Sequence, residues 1–155
     1  MKNPPEQVAR FLEKKSIAVV GVSRDQNQPA NVILRKLKKS GYQVFAINPN
    51  AEVVDGEKCY PDILSVPQKV GAAVIVTHPD ISASIVRQCV KSGIDQVWLH
   101  RSFGQGSVSD EAIQECQKNG INCLVGGCPM MYCEPVDFGH QCMKWILKLQ
   151  GKVPG

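Results

Sequence analysis

The stretch with the clearest chemical capability is a short turn, Gly21-Val22-Ser23-Arg24, which follows an unbroken run of four apolar residues. An apolar run without alternation is typical of a parallel strand that is covered on both faces. Gly21 lets the chain turn tightly because it has no Cβ, Ser23 offers a hydroxyl donor, and Arg24 can pair with a phosphate. Pro29 then opens a helical pattern, and the amides and dipole of a helix N-terminus favour anions. A strand, a glycine turn and a helix N-terminus in this order indicate a nucleotide site.

The kind of nucleotide follows from two absences. A dinucleotide fingerprint would carry G-x-G-x-x-G in this turn and an acidic residue about 20 positions later, to hold the ribose hydroxyls. Here the second glycine is missing, and the second predicted strand ends in Asn48-Pro49. Both absences weaken NAD as the ligand, although a nicotinamide-nucleotide sensor stays open as an alternative. A Walker lysine loop is missing too, so ATP hydrolysis is not favoured.

The elements that must position these residues are strands alternating with helices. Helical patterns cover residues 6–14, 29–40, 79–92, about 107–119 and about 138–149, and apolar strands cover 17–20, 42–47, 72–76, 97–99 and 123–125. Three helices end at a glycine directly before a strand, at Gly41, Gly93 and Gly120, which suits a left-handed C-terminal position. We therefore predict an α/β fold with a single doubly wound parallel sheet of about five strands and right-handed crossovers.

Ligands bind at the carboxyl ends of the strands in such a sheet. Those ends are the loops that begin at Gly21, Asn48, Thr77, His100 and Gly126. The loop from His100 to residue 107 is rich in glycine and polar residues, so we expect it to lie outside the core. No secondary structure is assigned to residues 51–70, where Asp55-Gly56 marks a turn.

Composition limits the class of protein. The 155 residues fit one domain, with a leading helix within residues 1–15 and a C-terminal extension with a helix in 130–155. A net charge of +4 and a basic run on one predicted helix face, without a nucleic-acid motif, do not favour nucleic-acid binding. The absence of an apolar span and of an apolar signal core predicts a cytoplasmic protein with no membrane contact. The seven cysteines lack metal-ligand spacing, so we expect reduced thiols and no metal site.

Several motifs together carry a resemblance to a known family. They are Ile17-Ala-Val-Val-Gly21-Val-Ser23-Arg24, Gly41-Tyr42-x-Val44 with Asn48-Pro49-Asn50, Gly56-x-x-Cys59-Tyr60-Pro61, Val97-Trp98-Leu99 and Cys128-Pro129. From about Ser16 to Met131 the chain resembles the small CoA-binding proteins. These are similar to the N-terminal CoA-binding domain of the succinyl-CoA synthetase α subunit.

The resemblance implies a Rossmann-like domain that holds coenzyme A. It places the turn Gly21-Val22-Ser23-Arg24 at the phosphates, Asn48 and Pro49 beside the adenosine part, and the loop Thr77-His78-Pro79 along the pantetheine arm. The synthetase's second domain, which bears its phosphorylated histidine, has no counterpart here, so its ligase activity is not inferred. The function that follows is binding of CoA or an acyl-CoA as a non-catalytic carrier, sensor or interaction module.

Two residues keep an enzymatic alternative open, namely action on an acyl-CoA thioester or a CoA disulfide. His100 stands where relatives often have glutamine and could act in acid–base chemistry, but no partner carboxylate is identifiable, and a hydrogen-bonding histidine is favoured. Cys128 follows two glycines and could approach the CoA thiol, or it could pack against the end of the sheet. The last helix and Trp145 could form a homodimer contact or dock on their own chain.

Overall fold

The structure is a computed structural model that describes residues 4–101, 104–133 and 138–154, without the side chains of residues 138 and 139. Its helices are α1 (Glu6–Leu12), α2 (Pro29–Lys39), α3 (Pro79–Lys91), α4 (Asp110–Lys118) and α5 (Phe138–Leu149). Its strands are β1 (Ser16–Val20), β2 (Gln43–Ile47), β3 (Val53–Val54), β4 (Glu57–Tyr60), β5 (Ala72–Ile75), β6 (Gln96–Leu99) and β7 (Asn122–Val125). No described helix is long and apolar enough to cross a membrane.

All strands belong to one sheet in the order β3-β4-β2-β1-β5-β6-β7. Every neighbouring pair is parallel except β3 with β4. The chain passes from β1 outward to β2 and β4, then returns to β5 on the other side of β1. This reversal is the switch point of a doubly wound nucleotide-binding sheet, and it lies between the carboxyl ends of β1 and β5. The predicted fold class is confirmed.

The predicted count of five strands was too low, because the described part of the chain has seven. The two additional strands, β3 and β4, lie in residues 51–70, where no structure had been assigned. They are two and four residues long and join through a tight turn at Asp55, which has a φ of 50°. Runs this short give no readable hydrophobic period, so the pairing of β4 with β2 and of β3 with β4 determines their structure rather than local pattern.

The core lies on both faces of the sheet. Side chains alternate along β1, so Ile17 and Val19 pack with α1, α2 and α5, whereas Ala18 and Val20 pack with α3 and α4. Leu147 of α5 is fully buried against the first of these faces. The C-terminal helix is therefore part of the packed core.

On two helices, α3 and α5, some apolar residues are exposed although the sequence pattern groups them with the buried ones. Ile81 lies four residues before Ile85 on the apolar side of α3, yet its side chain is 49% exposed. On α5, Cys142 and Ile146 are exposed together with Trp145 and Leu149, because this helix contacts the core mainly through Leu147, with Met143 packed beside it. A helix at the rim of a small sheet buries a narrower stripe than one that lies across its centre.

Candidate functional site

The turn after β1 is held very close to the end of β5. Gly21 adopts a φ of +105°, and a Cβ at this position would lie 2.1 Å from the carbonyl oxygen of Val76. The amide of Gly21 donates to the carbonyl of Ile47 at 3.1 Å, so the turn is fixed to β2 as well. Only glycine fits this backbone conformation and this approach. The backbone segments that follow β1 and β5 are therefore in direct contact at the switch point.

A buried asparagine on α2 organises the same turn. Asn31 is fully buried, accepts a hydrogen bond from the amide of Ser23 at 2.8 Å, and donates to the carbonyl of Ser23 at 2.7 Å. Its amide group also lies 3.2 Å from a carboxylate oxygen of Asp55. Sequence reasoning missed this residue. The signal was a polar side chain on the inward face of α2, between the apolar residues Ala30 and Ile33.

Asn48 fixes the loop after β2 to the Gly21 turn. Its side-chain amide donates to the carbonyl of Val22 at 2.7 Å, and its side-chain oxygen accepts from the amide of Asn50 at 2.7 Å. Both ends of this side chain are thus used to hold backbone in place. The following Pro49 is exposed at the rim of the sheet.

The polar loop that leads into α2 has its own network. The carboxylate of Asp25 accepts from the amide of Asn27 at 3.0 Å and from the side chain of Gln28 at 3.0 Å. These hydrogen bonds, that of Gln28 first, lower the pKa of the exposed Asp25 carboxyl. No side chain caps the N-terminus of α2, whose N-cap residue is Gln28 and whose first helical residue is Pro29.

A cleft of about 330 Å³ opens at the switch point. It is lined by Gly21, Gln28, Pro29, Ala30, Val76, Thr77, His100, Gly106 and Ser107. The cleft thus runs from the N-terminus of α2 across the ends of β1 and β5 to the loop after β6. Its described lining contains no carboxylate, lysine, arginine or cysteine.

The loop after β6 is exposed at Gly104, Gln105 and Gly106, as expected, but its two ends, His100 and Ser107, are buried and form a polar wall of the cleft. His100 is 7% exposed and Ser107 is 1% exposed. The amide of Ser107 donates to the carbonyl of His100 at 2.9 Å, and the hydroxyl of Ser107 lies 2.6 Å from the carbonyl oxygen of Ile75. The hydroxyl of Ser82 in turn donates to the carbonyl of Ser107 at 2.6 Å. Hydrogen bonding of the loop to β5 and α3 allows its polar ends to be buried.

The imidazole of His100 is neutral at physiological pH. Burial, and to a smaller degree the nearby His140, lowers the pKa of His100 from 6.5 to about 4. A base with so low a pKa takes up a proton poorly near pH 7. His100 therefore adds a neutral imidazole to the uncharged cleft.

The loop after β5 combines a cleft residue with a helix cap. Thr77 lines the cleft, and its hydroxyl lies 3.3 Å from that of Ser82. His78 is the N-cap of α3, where its Nδ1 accepts from the amide of Asp80 at 3.3 Å, and Pro79 is the first residue of that helix. The imidazole of His78 is largely exposed. Its observed role is capping.

Four of the predicted site residues, Arg24, Pro49, His78 and Pro79, are not among those that line the cleft. Arg24 is exposed and donates to the carbonyl of Asn50, Pro49 is exposed, and His78 and Pro79 begin α3.

The others divide into three groups. Gly21, Thr77 and His100 line one cleft. The backbone at Val22 and Ser23 is bonded to Asn48 and Asn31, respectively, and supports the turn from behind. Cys128 is 2% exposed, lies in the core cluster with Met130 and Met131, and is not among the residues that line the cleft.

Two solved structures resemble this chain in fold and in sequence. A hypothetical protein from Pyrococcus horikoshii OT3 is 27% identical, superposes with a TM-score of 0.77, and is matched over 98% of its length by 88% of this chain. The apo form of the dinucleotide-forming acetyl-coenzyme A synthetase 1 of Ca. Korarchaeum cryptofilum is 32% identical with a TM-score of 0.64, over 72% of this chain and 26% of that one.

Curated relatives include much longer ligases. The ADP-forming acetate–CoA ligase II of Archaeoglobus fulgidus is 37% identical over 82 residues, which are 52% of this chain and 12% of that protein. The chain therefore corresponds to a small part of such ligases. Residues 15–134 match the family described as CoA binding domain. The chain belongs to this family of CoA-binding domains.

Proposed function

We propose that this protein binds coenzyme A or an acyl-CoA at the switch-point cleft, as a non-catalytic carrier, sensor or interaction module. The observation that carries the proposal is the uncharged cleft that starts at the N-terminus of α2 and the Gly21 turn. Diphosphate oxygens fit the amides and dipole at the helix end. The pantetheine arm is a long uncharged chain with two amides, and it fits a cleft without charged lining groups.

The same lining argues against turnover. A hydrolytic or transfer reaction on a thioester needs a nucleophile or a base whose pKa lies near the working pH. Among the described lining residues the only histidine is His100, and its pKa is about 4. Cys128 is buried away from this lining. Binding without chemistry is the function that these groups support best.

Calorimetric titration of the reduced protein with CoA, acetyl-CoA and NAD tests the proposal. We expect CoA to bind in the micromolar range and NAD to bind more weakly, since Asn48 stands where a ribose-binding carboxylate would be needed. Thr77→Tyr should weaken CoA binding, because the larger side chain would occupy part of the cleft. Ser84→Tyr adds the same ring to an exposed position of α3 and should leave binding unchanged. Absence of CoA binding, or preference for NAD, would refute the proposal.

A parallel incubation with acetyl-CoA or CoA disulfide tests the enzymatic alternative. We expect no consumption of either compound beyond the uncatalysed rate, measured by chromatography of the nucleotides. Consumption that disappears in His100→Gln or in Cys128→Ser would show that the protein is an enzyme and would overturn the non-catalytic role.

A further inference from the structure

Three cysteines lie together on the face of the sheet that α3 and α4 cover. Cys89 of α3 and Cys116 of α4 are fully buried, and Cys123 of β7 packs against the same cluster with part of its side chain exposed. The remaining cysteines lie in the core on the opposite face or on the surface of α5: Cys59, Cys128, Cys133 and Cys142. The sheet therefore separates the first group from the other buried thiols.

The junction between α4 and β7 brings two of these thiols into contact. α4 ends at Lys118, and the amide of Ile121 then donates to the carbonyl of Cys116 at 2.9 Å, so the chain folds back over the end of the helix. Cys123 is paired with Val97 of β6 and lies on the same side of the sheet as that residue, which is the side that α4 covers. The thiols of Cys116 and Cys123 consequently form a hydrogen bond.

This hydrogen bond makes the two thiols chemically different. It raises the pKa of Cys116, which burial raises further, and it lowers the pKa of Cys123, although burial of Cys123 acts in the opposite direction. The thiolate is the reactive form of a cysteine, and a hydrogen-bond donor beside it favours that form. Cys123 therefore combines a stabilised thiolate with access to solvent, and Cys116 is a buried thiol directly beside it.

We propose that Cys116 and Cys123 form a reversible disulfide on exposure to a hydroperoxide, so that the pair is a site of oxidative modification. The Cys123 thiolate attacks one oxygen of hydrogen peroxide, the O–O bond breaks, and hydroxide leaves as the sulfur becomes a sulfenic acid. The sulfur of Cys116 then attacks the sulfur of Cys123, and the sulfenic hydroxyl leaves with the Cys116 proton as water. Two thiols are oxidised, and one peroxide is reduced to two waters.

The position of β7 permits the closing movement. A disulfide bond of about 2.05 Å is shorter than any hydrogen bond between thiols, so the two sulfurs must approach each other. β7 is the last strand of the sheet and is paired with β6 alone among the described strands. Cys89 is a poorer partner, because burial raises its pKa to about 12 and keeps it in the thiol form. The modification does not depend on CoA binding, since no cysteine is among the described residues that line the cleft.

Peroxide treatment of the reduced protein, followed by mass spectrometry, tests the proposal. After removal of the peroxide, the chain is unfolded and alkylated with iodoacetamide. We expect the oxidised chain to take up two alkyl groups fewer than the reduced chain, and dithiothreitol to restore both. Trypsin cleaves after Lys118, between the two cysteines, so the disulfide should appear as two peptides joined together, with the bond located by fragmentation.

Three variants assign the chemistry. Cys123→Ser should abolish the joined peptides, whereas Cys142→Ser, which removes an exposed thiol on α5, should leave them unchanged. Cys116→Ala should abolish them too, and Cys123 should then accumulate as a sulfenic acid that dimedone traps. Because Cys116→Ala also removes the hydrogen-bond donor, alkylation of Cys123 in the folded protein should require a higher pH than in the unsubstituted protein.

The opposing results are equally distinct. A disulfide that joins Cys116 to Cys89, or one found only between two molecules, would overturn the proposal. Conversion of Cys123 to a sulfinic acid in the unsubstituted protein, without any joined peptides, would overturn it as well. An unchanged pH dependence of Cys123 alkylation in Cys116→Ala would contradict the contact between the two thiols on which the inference rests.

Discussion

Substitution of Gly21 by alanine tests the geometry on which the whole site depends. The residue combines a φ of +105° with a contact in which the new Cβ would lie 2.1 Å from the carbonyl oxygen of Val76 and 2.8 Å from its carbonyl carbon. Both atoms belong to the backbone at the end of β5, so they cannot rotate away as a side chain could. Relief requires β1 and β5 to separate at their carboxyl ends.

The expected loss of stability has two parts. A left-handed backbone conformation costs an alanine about 1–2 kcal/mol. Forcing an extra methyl group into a packed position costs about 1–3 kcal/mol more. We therefore expect Gly21→Ala to lower the free energy of unfolding by about 2–5 kcal/mol. The position of the turn should shift as well, so CoA affinity should fall in any fraction that remains folded.

Gly41 offers a matched control for this experiment. It has a φ of +95°, but nothing lies within 4 Å of the position that a Cβ would take. Gly41→Ala should therefore lose only the conformational part, about 1–2 kcal/mol. Urea unfolding of both variants, followed by tryptophan fluorescence, to which the buried Trp98 and the exposed Trp145 both contribute, measures the difference. If Gly21→Ala were no less stable than Gly41→Ala, the close approach of β1 and β5 would be wrong.

Two further predictions concern the buried histidine and the last helix. Because the pKa of His100 falls from 6.5 in the unfolded chain to about 4 in the folded one, the unfolded state binds more protons between these values. Stability should decline by up to about 3 kcal/mol as pH drops from 6.5 to 4. His100→Gln should remove that part of the decline in urea unfolding across this range, whereas His78→Gln, at an exposed imidazole, should retain it. Leu147→Ala should lower the unfolding free energy by about 2–5 kcal/mol, and Leu149→Ala, at a side chain 71% exposed, by less than about 0.5 kcal/mol. Equal effects of the two leucine substitutions would show that α5 does not pack as described.

The fold could be predicted from the sequence because local signals agreed with the tertiary arrangement. Apolar runs without alternation predicted the central strands. Glycines predicted where helices end, and Gly41 and Gly93 both have a positive φ in the structure. β3 and β4 were missed because their structure comes from the pairing of β4 with β2 and of β3 with β4 rather than from their own pattern. Short edge strands of this kind are specified by their neighbours.

The site was only partly predictable, for a different reason. A backbone conformation such as the Gly21 turn requires a particular residue type, which can be recognised in the sequence. Buried polar contacts cannot be recognised in this way, because they depend on which residues distant in the sequence come together in the fold. Asn31 on α2 reaches Ser23, and Ser107 reaches the end of β5, across separations of 8 and 32 residues. The amide of His100 donates to the same carbonyl of Ile75 at 3.0 Å and its side chain is 7% exposed, whereas sequence alone placed the histidine on an open loop.

These internal contacts determine what remains for a ligand. The amide and carbonyl of Ser23 are occupied by Asn31, and the side chain of Asn48 is occupied by backbone. The turn therefore contributes shape and rigidity more than hydrogen bonds. For the proposed CoA binding, attraction of a phosphate is therefore expected from the N-terminus of α2, where no side chain occupies the free amides.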